Sequence, residues 1–349
     1  MRLLVFSGLS DTKLISKLEP IVSLEKVEKV YLIRNSPLQH PKIKSYGLPV
    51  CLNILFLREF IKLIHGLKIS LTKKIDYIIG IYLRPHGLFA YVIGKVVKKP
   101  VIQLFVGNDV DLIEKYKKSL KNLLKTAKFI GVRGSRSKKR LNSIVHQEEK
   151  FFILDNVFIP PEISQSSVKT PKKNDIICVG DFTKAKRIDV FLKVIARIKR
   201  RNPDIRAVMV GGDGKRSRFE KMKSRMNLDP NVFFKGRVNN IYSYLADSKV
   251  FLLTSEAEGL PMSLIEAMSM GLPSVVPNIG DIPDLARNGD NAFLINSLDE
   301  KDFTSRVIQL LEDEKMYDDM SRNAYETIQR KKRDYSSEYI QSIWDKILD

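Results

Sequence analysis

A chain of 349 residues with 44% hydrophobic content is long enough for two packed domains and too apolar to be disordered. Its two cysteines, Cys51 and Cys178, lie far apart with no cysteine or histidine cluster beside them, which excludes a disulfide scaffold and a structural zinc site and fits a reducing, cytoplasmic compartment. No uncharged apolar run reaches the roughly 18 residues of a membrane span, and the apolar part of MRLLVFSGLSD is too short for a signal peptide.

The net charge of +20 is unevenly spread: residues 1–170 hold 30 Lys and Arg against 13 Asp and Glu, and residues 171–349 hold 30 against 27. A body this basic suits nucleic acid, an anionic membrane surface or an acidic acceptor, with plain solubilising charge as the bland alternative. The first half opens with a strand at Leu3–Phe6, the turn SGLSD and a helix over Thr12–Leu24. A strand at Lys29–Arg34 and a loop over Ser36–Pro49 follow. Cys51–Leu71 carries a broad apolar face (Leu52, Leu55, Phe56, Phe60, Leu63, Ile64, Leu67) interrupted by Arg58, Lys62, His65 and Lys68. It reads either as a core helix or as an amphipathic segment resting on a membrane. Tyr77–Ile81 is a buried parallel-type strand. A helix begins near His86, which reads as structural or as reaching a ligand cleft, and Val101–Phe105 is the next strand. Lys115–Arg140 is dense in base with almost no acids interleaved, a candidate docking surface for anionic headgroups; an expected lack of exposed aromatics between the bases weakens a single-stranded nucleic-acid reading. After a strand at Phe151–Leu154, the Pro- and Ser-rich Asn156–Asn174 reads as a linker.

The second half opens with a strand at Ile176–Val179 and the loop GDFTKAKRID. A helix over Val190–Arg201 and a strand at Ala207–Val210 lead to Gly211-Gly212-Asp213-Gly214, read as a glycine turn. Val232-Phe233-Phe234 and Gly236-Arg237-Val238 follow. Helices are expected over Asp302–Leu311, Lys315–Lys331 and Ser336–Leu348. The informative stretch is Thr254–Leu285. A strand over Val250–Thr254 ends in Glu256, Glu258 and Gly259, Pro261 suits a first helical position, and Ser263–Met270 has helical spacing up to Gly271 and Pro273. A helix beginning after Gly259 aims its unpaired amides and positive dipole end at the loop, which favours a phosphate or diphosphate. Glu258 on the loop and Glu266 within the helix accept hydrogen bonds from hydroxyls at two ends of one ligand. A molecule with hydroxyls at both ends and a diphosphate between them is a nucleotide sugar.

Glu258, seven residues, then Glu266, within EGLPMSLIEAMSMGLP, resembles the signature of the retaining family-4 glycosyltransferases; GDIPDLARNGDNAFLI (Gly280–Ile295) resembles the segment that follows it there. The resemblance implies an α/β GT-B fold, two Rossmann-like domains facing across a cleft: an acceptor- and membrane-facing domain over 1–165, to which the helix 336–349 returns, and a nucleotide-sugar domain over 172–335. It implies glycosyl transfer with retention from a UDP- or GDP-linked donor, which is substrate rather than cofactor, with no metal. The acceptor would be a lipid-linked or polysaccharide glycan, and the protein peripheral on the cytoplasmic side of a membrane, without nucleic acid. Carried over residue by residue, Glu258 orients the donor sugar, Glu266 holds the ribose, and the amides of Gly259, Leu260, Pro261's neighbour Met262 and Ser263 meet the diphosphate together with Lys186. Gly8 approaches the donor phosphates, Arg237 and Val238 contact the base, and Asp109 matches the aspartate of Gly107-Asn108-Asp109. Two positions depart from the pattern. Asp181 replaces a phosphate-binding arginine, for which Lys184 or Arg187 would compensate, and Val106 replaces a histidine. A GT-B nucleotide-sugar epimerase and a non-enzymatic basic nucleic-acid module are the alternatives.

Overall fold

The computed structural model describes residues 1–47, 55–107, 109–161, 172–212 and 216–349. Residues 51–54 of the amphipathic stretch, most of the linker, and Asp213 and Gly214 of the glycine turn lie outside the described residues. The chain forms two compact units, Met1–Phe158 with Arg333–Asp349, and Ile159–Lys332.

The first unit is built from β1 (Arg2–Phe6), α1 (Asp11–Val22), β2 (Lys29–Ile33), β3 (Ile43–Tyr46), α2 (Leu55–Thr72), β4 (Tyr77–Ile81), α3 (Leu88–Val97), β5 (Val101–Leu104), α4 (Asp109–Lys115), α5 (Lys117–Thr126), β6 (Phe129–Val132), α6 (Ser135–Val145) and β7 (Phe151–Ile153). Its seven strands run in the order β3-β2-β1-β4-β5-β6-β7, and every pairing is parallel. Parallel sheets are covered on both faces, so their strands read as unbroken apolar runs. YIIGI in β4 is buried at every residue. The expected loop over Ser36–Pro49 is corrected by β3, which pairs Ile43 with Val30 at the sheet edge. IKSY has no apolar run to announce it; only Ile43 is fully buried, and backbone bonds to β2 hold the rest.

The second unit follows as β8 (Asn174–Val179), α7 (Ile188–Lys199), β9 (Ala207–Val210), α8 (Arg216–Arg225), β10 (Val232–Gly236), α9 (Tyr242–Ala246), β11 (Ser248–Leu252), α10 (Met262–Ser269), β12 (Ser274–Pro277), β13 (Ala292–Ile295), α11 (Glu300–Glu312) and α12 (Glu314–Arg330). Six parallel strands take the order β10-β9-β8-β11-β12-β13. α7 starts two residues before the expected Val190, because Arg187, in a left-handed conformation with φ 48°, serves as its cap. Pro261 is likewise corrected from first helical residue to cap of α10: its φ of −73° and ψ of 130° are extended.

The last helix, α13 (Ser337–Leu348), packs on the first unit. Ser336 caps it through a hydrogen bond from Tyr339 N–H. Its inward row of Ile340, Trp344, Ile347 and Leu348 joins the core beneath β1, β2 and β4, and Trp344 meets Phe152 edge to face at 5.9 Å.

Candidate functional site

Both sheets reverse their strand order once, and ligands of open parallel sheets bind beyond the strand ends at that reversal. In the second unit the reversal lies between β8 and β11, which are neighbours. The loop after β8 carries Lys186 and the loop after β11 carries Glu258. Their side chains meet: Lys186 Nζ donates to Glu258 Oε1 at 2.6 Å, with 20% and 12% of the two side chains exposed. The loops beneath are stitched together. The buried Thr254 hydroxyl donates to the carbonyls of Lys186 and Arg187 at 3.2 and 3.0 Å, and Glu256 N–H donates to Ala185 O at 2.8 Å. From the other side, Asp281 N–H donates to Gly259 O at 3.0 Å, which ties the start of GDIPDL to the EGLP turn.

α10 rises directly from this turn. Its first internal bond runs from Leu264 N–H to Pro261 O at 3.1 Å, so the amides of Met262 and Ser263 precede the helical ladder. Between Pro261 and Ser269 every residue is buried except Met262 and Glu266, one turn apart on the same edge. The helix therefore presents to solvent only its amino-terminal tip and this edge. Glu266 lies near Tyr242 of α9, whose phenol is pushed up to about 12 by burial and by that carboxylate. Tyr242 has no local sequence signal; only the packing of α9 brings it to Glu266.

One of the two family departures, Asp181, acquires a local explanation. Asp181 Oδ1 accepts the amide of Gly212 at 3.1 Å, and a side-chain carbon on Gly212 would lie 2.4 Å from that oxygen and 2.7 Å from Arg237 Nε. Asp181 thus fastens the loops after β8 and β9, and the exposed Arg237, after β10, supplies a cation beside it. Arg187, in contrast, is engaged by Asp189 at 3.1 Å and approaches Glu256 at 3.7 Å, which together with its own side-chain bonds raises its pKa. Lys184 is exposed and Val238 half-buried.

The reversal in the first unit lies between β1 and β4. Here Gly8, after β1, meets His86, after β4: a side-chain carbon on Gly8 would sit 2.7 Å from His86 Cε1, so only glycine fits. Both ring nitrogens of His86 are buried without a hydrogen-bond partner among the described residues. Burial, and then the Lys62 ammonium, push its pKa down to about 4. Asp109 is buried as well. Its carboxylate accepts Leu83 N–H at 3.0 Å and Val106 N–H at 3.3 Å. Burial raises its pKa against the opposing pull of these backbone bonds. Both oxygens are occupied in holding the turns after β4 and β5. Among the described residues no group of three or more His, Cys, Asp or Glu is placed to hold a metal ion.

Comparison with known proteins agrees with this architecture. Over the whole chain the fold is that of Anabaena Alr3699/HepE, crystallised with UDP and glucose, with a TM-score of 0.79 at 15% identity and coverage of 100% of this chain and 99% of that one. Two parallel-sheet Rossmann-like units of this kind define the GT-B class. Residues 160–327, which contain the Lys186–Glu258 pair and α10, match the family of glycosyl transferases group 1. The chain thus has the GT-B fold, and its second unit is similar to the glycosyl transferases group 1. It is 24% identical over 300 residues to the N-acetyl-alpha-D-glucosaminyl L-malate synthase of Bacillus anthracis, covering 80% of this chain and 76% of that protein. It is 28% identical over 235 residues to the poly(ribitol-phosphate) alpha-N-acetylglucosaminyltransferase of Staphylococcus aureus, covering 66% of this chain but only 46% of that protein.

Proposed function

We propose that the protein is a retaining family-4 glycosyltransferase that moves a sugar from a UDP- or GDP-linked donor to a glycan or lipid-linked acceptor in cell-surface glycan biosynthesis, at an anionic membrane surface. The observation that carries the reading is the Lys186–Glu258 contact of 2.6 Å at the foot of α10. The bond to be broken joins a hydroxyl-rich sugar to a diphosphate, and this site sets an acid beside a cation and a helix tip. Glu258 accepts hydrogen bonds from sugar hydroxyls. Lys186 and the amides at Met262 and Ser263 face the diphosphate, where negative charge grows as the C1–O bond breaks. Glu266, on the open edge of α10, accepts the ribose hydroxyls. The new bond from the acceptor oxygen to C1 forms on the face the diphosphate leaves, and the acceptor proton passes to a phosphate oxygen. The polymer named in the Staphylococcus enzyme supports a glycopolymer acceptor, and the UDP of the Anabaena structure supports UDP.

A thermal-shift panel of UDP- and GDP-sugars tests this. A ligand at a hundredfold excess over its Kd stabilises by about 2.7 kcal/mol, roughly 5–10 °C for a unit of this size. One donor is expected to give such a shift with the wild type and to lose most of it in Glu266→Ala. No shift with any UDP or GDP species would overturn the reading. A donor converted without an acceptor would indicate epimerisation instead.

A further inference from the structure

The helices α2 and α3 cover one face of the first sheet, and α2 is oriented contrary to the usual rule for a surface helix. It seats through Gly66, where a side-chain carbon would lie 2.3 Å from Phe6 Cζ and 2.8 Å from Ile93 Cδ1 of α3. The same inward side takes Lys62, only 2% exposed and paired with Glu59 at 2.6 Å, and the buried Ser70. The outward side carries Leu57, Phe60, Ile64 and Leu71, exposed by 38%, 51%, 47% and 69%. Their spacings of three, four and seven put them in one stripe. On neighbouring α3, Val92 and Val96, one turn apart, are 43% and 61% exposed. Six large apolar side chains thus face solvent on two adjacent helices, while the inward side of α2 takes a lysine beside Leu63 and Ile69; a helix built to end in water would carry its charge outward.

The rim of this face decides what covers it. Lys68, Lys73, Lys74, Lys95, Lys98 and Lys99 are all exposed around the two helices. Glu59 is the only acid in either helix, and it is already paired with Lys62. A protein interface is depleted of lysine toward its centre and is balanced by both signs of charge. An apolar stripe flanked by lysines without free acids matches the boundary between acyl chains and anionic headgroups.

We propose that the α2–α3 face is the membrane-docking surface of this protein, inserting Phe60, Ile64 and their neighbours into an anionic bilayer with the six lysines at phosphate level. This rests on the reading that the enzyme works at such a surface, and it adds which face makes the contact and that insertion of apolar side chains contributes alongside charge. The other basic stretch, around Lys118 and Lys121, has no comparable apolar row; Leu120, Leu123 and Leu124 are buried there.

Co-sedimentation of the full chain with vesicles, either pure phosphatidylcholine or with about 30% phosphatidylglycerol, separates the possibilities. The wild type is expected to bind the anionic vesicles and not the neutral ones. Phe60→Ser/Ile64→Ser should lower the partition by about tenfold or more, and Lys118→Ser/Lys121→Ser by less than about threefold. All variants replace exposed residues, and a far-UV circular dichroism spectrum and a calorimetric melt of the first unit that match the wild type verify that each is folded. Equal binding by the Phe60→Ser/Ile64→Ser variant, with loss in Lys118→Ser/Lys121→Ser, would overturn the assignment of the face and leave membrane attachment intact. No binding of the wild type to either vesicle would overturn both. A wild-type dimer that fails to bind vesicles and becomes monomeric in Phe60→Ser/Ile64→Ser would identify the face as an interface between two copies instead.

Discussion

The two units apply one topological rule to different chemistry. At the strand reversal of the second unit, loops after β8 and β11 bring a cation and a carboxylate to 2.6 Å beside a helix tip. At the reversal of the first unit, loops after β1 and β4 bring together Gly8 and a buried histidine pushed to about 4. The second unit offers charge to a ligand, whereas the first offers a close, neutral surface. Their overall charge runs the opposite way, since the first half of the chain holds most of the net positive charge. Charge thus concentrates at a point in the second unit and spreads over the exterior in the first. The second unit is also continuous in sequence, while the first is completed only when Arg333–Asp349 returns to it.

That last difference predicts the largest effect. Trp344 is fully buried and packs on Phe152. Trp344→Ala leaves a cavity under the first sheet and should cost about 3–5 kcal/mol. Because its contacts belong to the first unit, calorimetry should show that unit melting earlier while the UDP-dependent shift of the second persists. A variant that loses both together would mean that the two units do not melt independently.

Glu258→Gln tests the charged reversal. The amide keeps the shape of the side chain and removes the partner of Lys186. Turnover should fall by about 10²–10³-fold, as for loss of one preorganised group acting on a reacting centre. UDP should bind as well or more tightly, since Lys186 is then available to the diphosphate. Turnover within threefold of the wild type, measured at saturating donor, would remove Glu258 from the reaction.

How far this was legible in sequence follows the same division. The parallel strands announced themselves as apolar runs, and EGLPMSLIEAM fixed α10 within a residue, because proline and glycine punctuate both of its ends. What is local in sequence was readable. β3 was not, since an edge strand needs backbone partners more than apolar side chains. The Asp181–Gly212–Arg237 contacts were hidden for another reason: they join three loops whose adjacency depends on β8, β9 and β10 being neighbours. Gly8 and His86 lie 78 positions apart in the chain and meet only through the pairing of β1 with β4. Lys62 interrupts the apolar face in sequence; in the fold it lies on the inward side of α2 with Leu63 and Ile69, while Phe60 and Ile64 face outward.

The neutral reversal is tested by pH, with the smallest expected effect. His86 titrates near 4 in the folded chain, below the 6.5 of a free imidazole, through burial first and the nearby Lys62 ammonium second. Between those values the unfolded chain binds a proton that the folded chain refuses, so stability is full above pH 6.5 and is lost as pH falls toward 4. The loss from this one group reaches about 3 kcal/mol at most. His86→Gln removes the titration while keeping a polar side chain of similar reach. Melting curves from pH 8 to about 4 should therefore fall more steeply for the wild type than for the variant, with the gap opening below about 6.5. Parallel curves would mean that the imidazole accepts its proton inside the fold. The surface beside Gly8 would then carry a positive charge in mild acid, and the contrast between a charged and a neutral reversal would hold only near neutrality.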